Sequence, residues 1–122
     1  MIKDINSNKY DLEERTAVFA ENVVELCKKI QKSVVVTPII DQLVRSGTSI
    51  GANYCEANGA SSKKDFKNKI HICKKESKET MYWLRIIAKA DESNKEAYRV
   101  LWQEAHQLAK IFATIASRTN NL

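Results

Sequence analysis

The sequence predicts an all-α fold, an antiparallel four-helix bundle in up-down-up-down order. Three observations point there. Only three glycines and one proline punctuate 122 residues, too few for many short strands. Apolar residues recur three and four apart through most of the chain, the period of one helix face. The gaps between these segments are short, and short connections make consecutive helices antiparallel neighbours.

The first helix is expected over about 12–32. Asp11-Leu12-Glu13-Glu14 reads as a capping box at its start. Leu12, Phe19, Val23, Leu26 and Ile30 form its core stripe. Lys28, Lys29 and Lys32 fall in its last turns, where cations meet the negative end of the helix dipole. In Ser33-Val34-Val35-Val36, three consecutive valines favour a strand locally. A lone strand has nothing to pair with, so the segment reads as an extended loop.

Thr37-Pro38 marks the second start, with Thr37 as N-cap and Pro38 at the first helical position. This helix is expected over 38–57, and Asn58-Gly59 stops it. It carries two stripes. Leu43, Gly47, Ile50, Gly51 and Tyr54 make an apolar and small face. Gln42, Arg45, Ser46, Ser49, Asn53 and Glu56 make an adjacent polar face of mostly short side chains. A solvated helix surface usually carries long charged residues, whereas short ones let another backbone approach. Two faces fit for burial point to assembly rather than to an active site.

The third helix is expected over 63–90, opened by the capping-box variant Ser62-Lys63-Lys64-Asp65. At 100° per residue it divides into three sectors. Phe66, Ile70, Cys73, Ser77, Thr80, Leu84 and Ile87 form the core sector. Ile72, Glu76, Glu79, Trp83 and Ile86 form a second. Either the neighbouring helices cover that second sector or part of it faces another subunit. A carboxylate beside tryptophan needs a partner, and Arg45 on the second helix is the best candidate for Glu76 or Glu79. Lys63, Lys64, Lys67, His71, Lys74, Lys75 and Lys78 form a third, basic sector with no acid inside it. It reads either as a solvated face or as a phosphate-contacting one.

Asp91-Glu92-Ser93 breaks the third helix, and Ser93-Asn94-Lys95-Glu96 caps the fourth, expected over 95–118. Ala97, Leu101, Leu108, Ile111, Phe112 and Ile115 are its expected core stripe, and Thr119 to Leu122 read as a frayed tail. No repeat, low-complexity segment or linker interrupts the chain, so 1–122 reads as a single domain.

Composition narrows the function. The formal net charge is +5 and the isoelectric point about 9.1, which admits nucleic-acid binding. Residues 1–10 lack the apolar region of a secretion signal. No run of about 18 apolar residues is long enough to span a membrane. Cys27, Cys55 and Cys73 are odd in number and lack paired spacing, which fits a reduced cytoplasmic protein. They lie on or beside apolar stripes and read as structural thiols. His71 and His106 stand on different helices without metal-ligand spacing. Gly47 and Gly51 lie inside a helix and form no phosphate loop. No Ser/His/Asp or Cys/His arrangement is present. No catalytic residue, cofactor, metal or small-molecule substrate is therefore expected.

R-S-G-T-S-I-G-A-N-Y-x-E-A from Arg45, followed by Lys75-Glu76-Ser77-Lys78-Glu79-Thr80-Met81-Tyr82-Trp83-Leu84, resembles the S23 or 23S rRNA intervening-sequence protein family. Asp11-Leu12-Glu13-Glu14-Arg15-Thr16 with Phe19-Ala20 resembles the family's first helix, and the likeness extends from about Asp11 to Arg118. It implies a four-helix bundle and a ring-like homopentamer. Relatives are encoded within intervening sequences of ribosomal RNA genes. A related branch, the accessory proteins of diversity-generating retroelements, associates with a reverse transcriptase and nucleic acid. The expected function is a non-enzymatic oligomeric scaffold that binds RNA or DNA, or a nucleoprotein, through Lys63, Lys64, Lys67, Lys74, Lys75 and Lys78. Arg45, Ser46, Ser49, Asn53, Glu76, Glu79 and Trp83 are the structural and interface candidates. The alternative is a structural or protein-interaction module without nucleic-acid binding.

Overall fold

The computed structural model describes residues 11–120. Four α-helices account for nearly all of them: α1 (Leu12–Lys29), α2 (Val36–Asn58), α3 (Lys63–Ala90) and α4 (Lys95–Asn120), with a 3-10 turn at Glu92–Asn94. The described residues contain no strand. Each helix packs on the next, and α4 returns to α1. That is the contact pattern of an up-down-up-down bundle. Phe19, Val23, Leu43, Ile50, Ile70, Leu84, Ile87, Leu108 and Phe112 fill the centre, each at most 2% exposed.

The local starts and stops differ from the sequence expectations in instructive ways. The expected side-chain cap at Asp11 is not made; its carbonyl receives the Arg15 N–H at 3.1 Å instead. α1 ends at Lys29, not near Lys32, because Ile30 turns extended (φ −80°, ψ 131°). That turn lets the chain reverse toward α2 while Ile30 stays in the core, 4% exposed. Ser33 to Val36 is a helical turn rather than an extended loop. Ser33 Oγ accepts the Val36 N–H at 3.1 Å, and the Ser33 carbonyl accepts the Thr37 N–H at 2.9 Å. The cap function expected of Thr37 thus belongs to Ser33, and α2 begins two residues earlier and ends one residue later than 38–57. Ser33 wins because starting there buries Val36 in the core.

At the start of α3 the Ser62 side chain accepts the Asp65 N–H at 3.0 Å, as a capping box requires. The α3–α4 connection is organised by Asp91. Its carboxylate accepts hydrogen bonds from Ser93 Oγ (2.7 Å), Asn94 Nδ2 (3.0 Å) and Tyr98 Oη (2.6 Å). The buried stripe of α4 is Tyr98, Leu101, Ala105, Leu108, Phe112 and Ala116. Ala97, Ile111 and Ile115, expected in the core, sit half-buried on its flank. The helix rolls that way because Tyr98 is pinned at both ends, ring in the core and hydroxyl on Asp91. Thr119, expected in a frayed tail, is buried and helical; its hydroxyl donates to the Ile115 carbonyl at 2.8 Å. Asn120, also expected in that tail, is the last residue of α4; Asn121 and Leu122 lie outside the described residues.

Candidate nucleic-acid interface

The two stripes of α2 meet two different helices of the same chain. On the small face, a Cβ added at Gly47 would lie 3.2 Å from a Val23 methyl, and one at Gly51 2.9 Å from Thr16 Oγ1. The glycines therefore let α1 approach α2 closely. On the polar face, Ser46 is fully buried and its hydroxyl accepts a hydrogen bond from Thr80 on α3 at 3.0 Å. The Cys73 thiol donates to the Ile50 carbonyl at 3.5 Å across the same seam. Much of the burial expected of an assembly interface is thus satisfied within one chain, and Ser46 is an internal packing residue. Ser49 and Asn53 are half-buried and bond back to their own helix, at 2.7 and 2.9 Å.

Arg45 reaches both carboxylates of the second α3 sector. Its Nη1 lies 3.3 Å from Glu76 Oε1, and its Nη2 contacts Glu79. Nε donates to Gln42 Oε1 at 3.0 Å, which aims the fork. Trp83 Nε1 donates to Glu79 Oε2 at 3.0 Å. That bond, and then the Arg45 contact, hold the Glu79 carboxyl below the usual carboxylate range. Glu76 is nearly buried, so this cluster neutralises an acid at the α2–α3 seam. Ile72, Trp83 and Ile86 remain half-buried beside it.

The lysines of α3 lie on the opposite flank. Lys63, Lys64, Lys75 and Lys78 are exposed; Lys67, Lys74 and His71 are half-buried. None of the six lysines forms an ion pair with a described residue, whereas Lys69, outside the stripe, is held by Glu56 at 2.8 Å. Two of the three acids of α3, Asp65 and Glu76, fall on the far side of the helix by its 100° period. Glu79 lies at the stripe's edge, one turn after Lys75, whose charge also helps to hold its carboxyl low, and is taken up by Arg45. The stripe also continues past Lys78 through exposed Tyr82, Arg85 and Lys89. Carried on that far, it spans roughly 39 Å of helix. Sequence reasoning stopped it at Lys78; the same periodicity, followed for three more turns, would have found the rest.

Other chemistry is sparse. Burial pushes the Cys73 thiol up to about 12 and the Cys27 thiol up to about 11, so both sit as inert core groups. Cys55 is exposed, and all three cysteines are free. Among the described residues no three His, Cys, Asp or Glu side chains cluster as a metal would need. None of their helices is long and apolar enough to cross a membrane. Sequence reasoning missed the bidentate pair between Arg15 and Glu104, at 2.7 and 2.9 Å, which ties α1 to α4. No local pattern announces a contact between residues 89 positions apart.

Fold and surface together define an all-α bundle with one polarised basic helix and a neutralised polar seam. The chain belongs to the family described as 23S rRNA-intervening sequence protein, whose model matches residues 8–114. It is similar to a solved structure from Bacteroides thetaiotaomicron VPI-5482, described as a protein with unknown function from the S23 ribosomal protein family. The two are 33% identical with a TM-score of 0.76, over 85% of this chain and 96% of that one. Comparison with curated proteins gave no match.

Proposed function

We propose that this chain is a non-catalytic, homo-oligomeric scaffold that binds the sugar–phosphate backbone of nucleic acid through α3. The basic stripe carries the reading: six lysines that form no ion pair with a described residue, on a helix whose acids Asp65 and Glu76 lie on the other side and whose third, Glu79, is paired with Arg45. Lysine offers point charge and no acceptor. Contact should therefore be collective and weakly dependent on sequence. The family description, which refers to ribosomal RNA intervening sequences, agrees with such a partner. Five subunits are the number implied by the resemblance, and five copies of +5 would give a field of about +25. Three free cysteines fit a reducing, cytoplasmic setting.

Changing Lys63, Lys67, Lys74 and Lys78 together to Glu tests the reading. The variant should keep its helicity and lose binding to generic RNA and duplex DNA. Wild-type affinity should fall steeply between about 50 and 200 mM salt. Absence of wild-type binding at low salt overturns the proposal. The second reading, a protein-interaction module, would then stand on the half-buried flank of Ile72, Trp83 and Ile86.

A further inference from the structure

We propose that the groove between the ends of α3 and α4 holds one unpaired base of a single-stranded nucleic acid, stacked on Trp102. The inference rests on the backbone-binding reading of α3 and adds a strand preference to it. The groove measures about 640 Å³, within the roughly 300–1,000 Å³ typical of ligand sites. Leu84, Tyr98 and Trp102 give it an apolar, aromatic floor, and Arg85, Lys95 and Arg99 stand on its rim. The one acid there, Glu96, is already held by Arg99, 3.1 Å from its Nε. Arg85 and Lys95 are exposed and form no ion pair with a described residue. The groove therefore suits a flat apolar body that carries negative charge.

The rest of the site narrows the occupant. The Tyr98 hydroxyl is committed to Asp91 at 2.6 Å and its ring is buried in the core beneath the groove, so Tyr98 offers no free donor and Trp102 is the aromatic surface left for stacking. Trp102 is half-buried, and the His106 ring backs it, 5.1 Å between centroids and tilted by 36°. Arg85 also belongs to the basic stripe, so a strand tracked along the α3 lysines arrives at the rim of the groove. A base inside a duplex is paired and stacked and cannot enter. An unpaired base can, and stacking on an aromatic ring tolerates any base.

Fluorescence anisotropy with a labelled short oligothymidylate, and with a duplex of equal length, tests this on the intact chain. Trp102→Leu should weaken single-strand binding roughly ten-fold or more and leave duplex binding within about two-fold, while Trp102→Phe should restore most of it. Arg85→Glu with Lys95→Glu, at exposed positions that spare the core, should lower single-strand affinity more than duplex affinity. Equal loss on both ligands, or no loss from Trp102→Leu, overturns the stacking site. So does a wild-type protein that binds duplex but not the single strand; the α3 reading survives that result. A wild-type protein that binds neither overturns both.

Discussion

Arg45 shows how far one residue can be read before the fold is seen. A carboxylate beside a tryptophan demanded a cation, and the structure supplies it within the chain. Its energetic weight is set by exposure, which no sequence pattern reports. The Arg45 side chain is 43% exposed while that of Glu76 is 9% exposed. Solvent screens the cationic end, but removing it leaves a nearly buried acid unpaired. Arg45→Ala should cost about 1–2 kcal/mol, read as a lower urea midpoint at neutral pH. Glu79 is held below its ordinary pKa by Trp83 and then Arg45. Its contribution is complete above the ordinary carboxylate pKa of about 4.3 and is lost as pH falls through the lower folded value. The gap between wild type and variant should narrow on acidification. A variant as stable as wild type at pH 7 would show that the cluster contributes nothing.

At the scale of elements, two junctions carry testable weight. The first is α1 on α2. Gly51→Ala adds a Cβ 2.9 Å from Thr16 Oγ1, and that hydroxyl is fixed by the Leu12 and Glu13 carbonyls at 2.9 and 3.0 Å. Ala favours a helix over Gly by about 1 kcal/mol, yet overpacking costs about 1–3 kcal/mol. We expect a net loss at Gly51. Combined with Thr16→Ala, the pair should lose less than the sum of the single changes, because the shortest contact, to Oγ1, is then gone while that to the Thr16 Cβ, 3.2 Å, remains. Additive losses would exclude the contact as the cause. Gly47→Ala meets only Val23 methyls, 3.2 and 3.3 Å away, and should cost less.

The second junction is α3 to α4. Tyr98, then Ser93 and Asn94, lower the Asp91 pKa from 3.8 to about 2. A depressed carboxylate stabilises the fold fully above its unfolded value and loses that contribution as pH falls through its folded value. Tyr98→Phe keeps the ring and removes the largest cause. The cost should be about 1–2 kcal/mol at pH 7, shrinking between about pH 4 and pH 2 as Asp91 protonates. Denaturation midpoints across that range would check it. A cost that stays constant down to pH 2 would place the effect in ring packing rather than in the hydrogen bond.

The whole molecule raises the question of assembly. Part of the burial that pointed to it lies within the chain, since α1 and α3 pack on the two faces of α2. What remains for a partner is the half-buried flank of Ile72, Trp83 and Ile86 with Ser49 and Asn53 beside it. Size exclusion with light scattering should give a multiple of 13.9 kDa, five-fold if the ring implied by the resemblance holds. A mass of 13.9 kDa at micromolar concentration would leave that flank as bundle surface. A stable oligomer of another size would keep the interface and reject the ring.

The local capping pattern placed the Ser62 cap, and periodicity determined the four helices and most of the core, because helix faces are written in spacings of three and four. It also placed Lys63 to Lys78 on one flank, since residues on one helix keep their angles whatever surrounds them. The tertiary structure decided what depends on two elements at once. It chose Ser33 over Thr37 as the cap, because only the folded turn shows which start buries Val36. It rolled α4 onto Tyr98, because Asp91 lies across the turn to receive the hydroxyl. It joined Arg15 to Glu104 and brought Trp102 into one groove with Arg85. Such pairs are set by how helices dock, and docking is a property of facing surfaces rather than of any one segment.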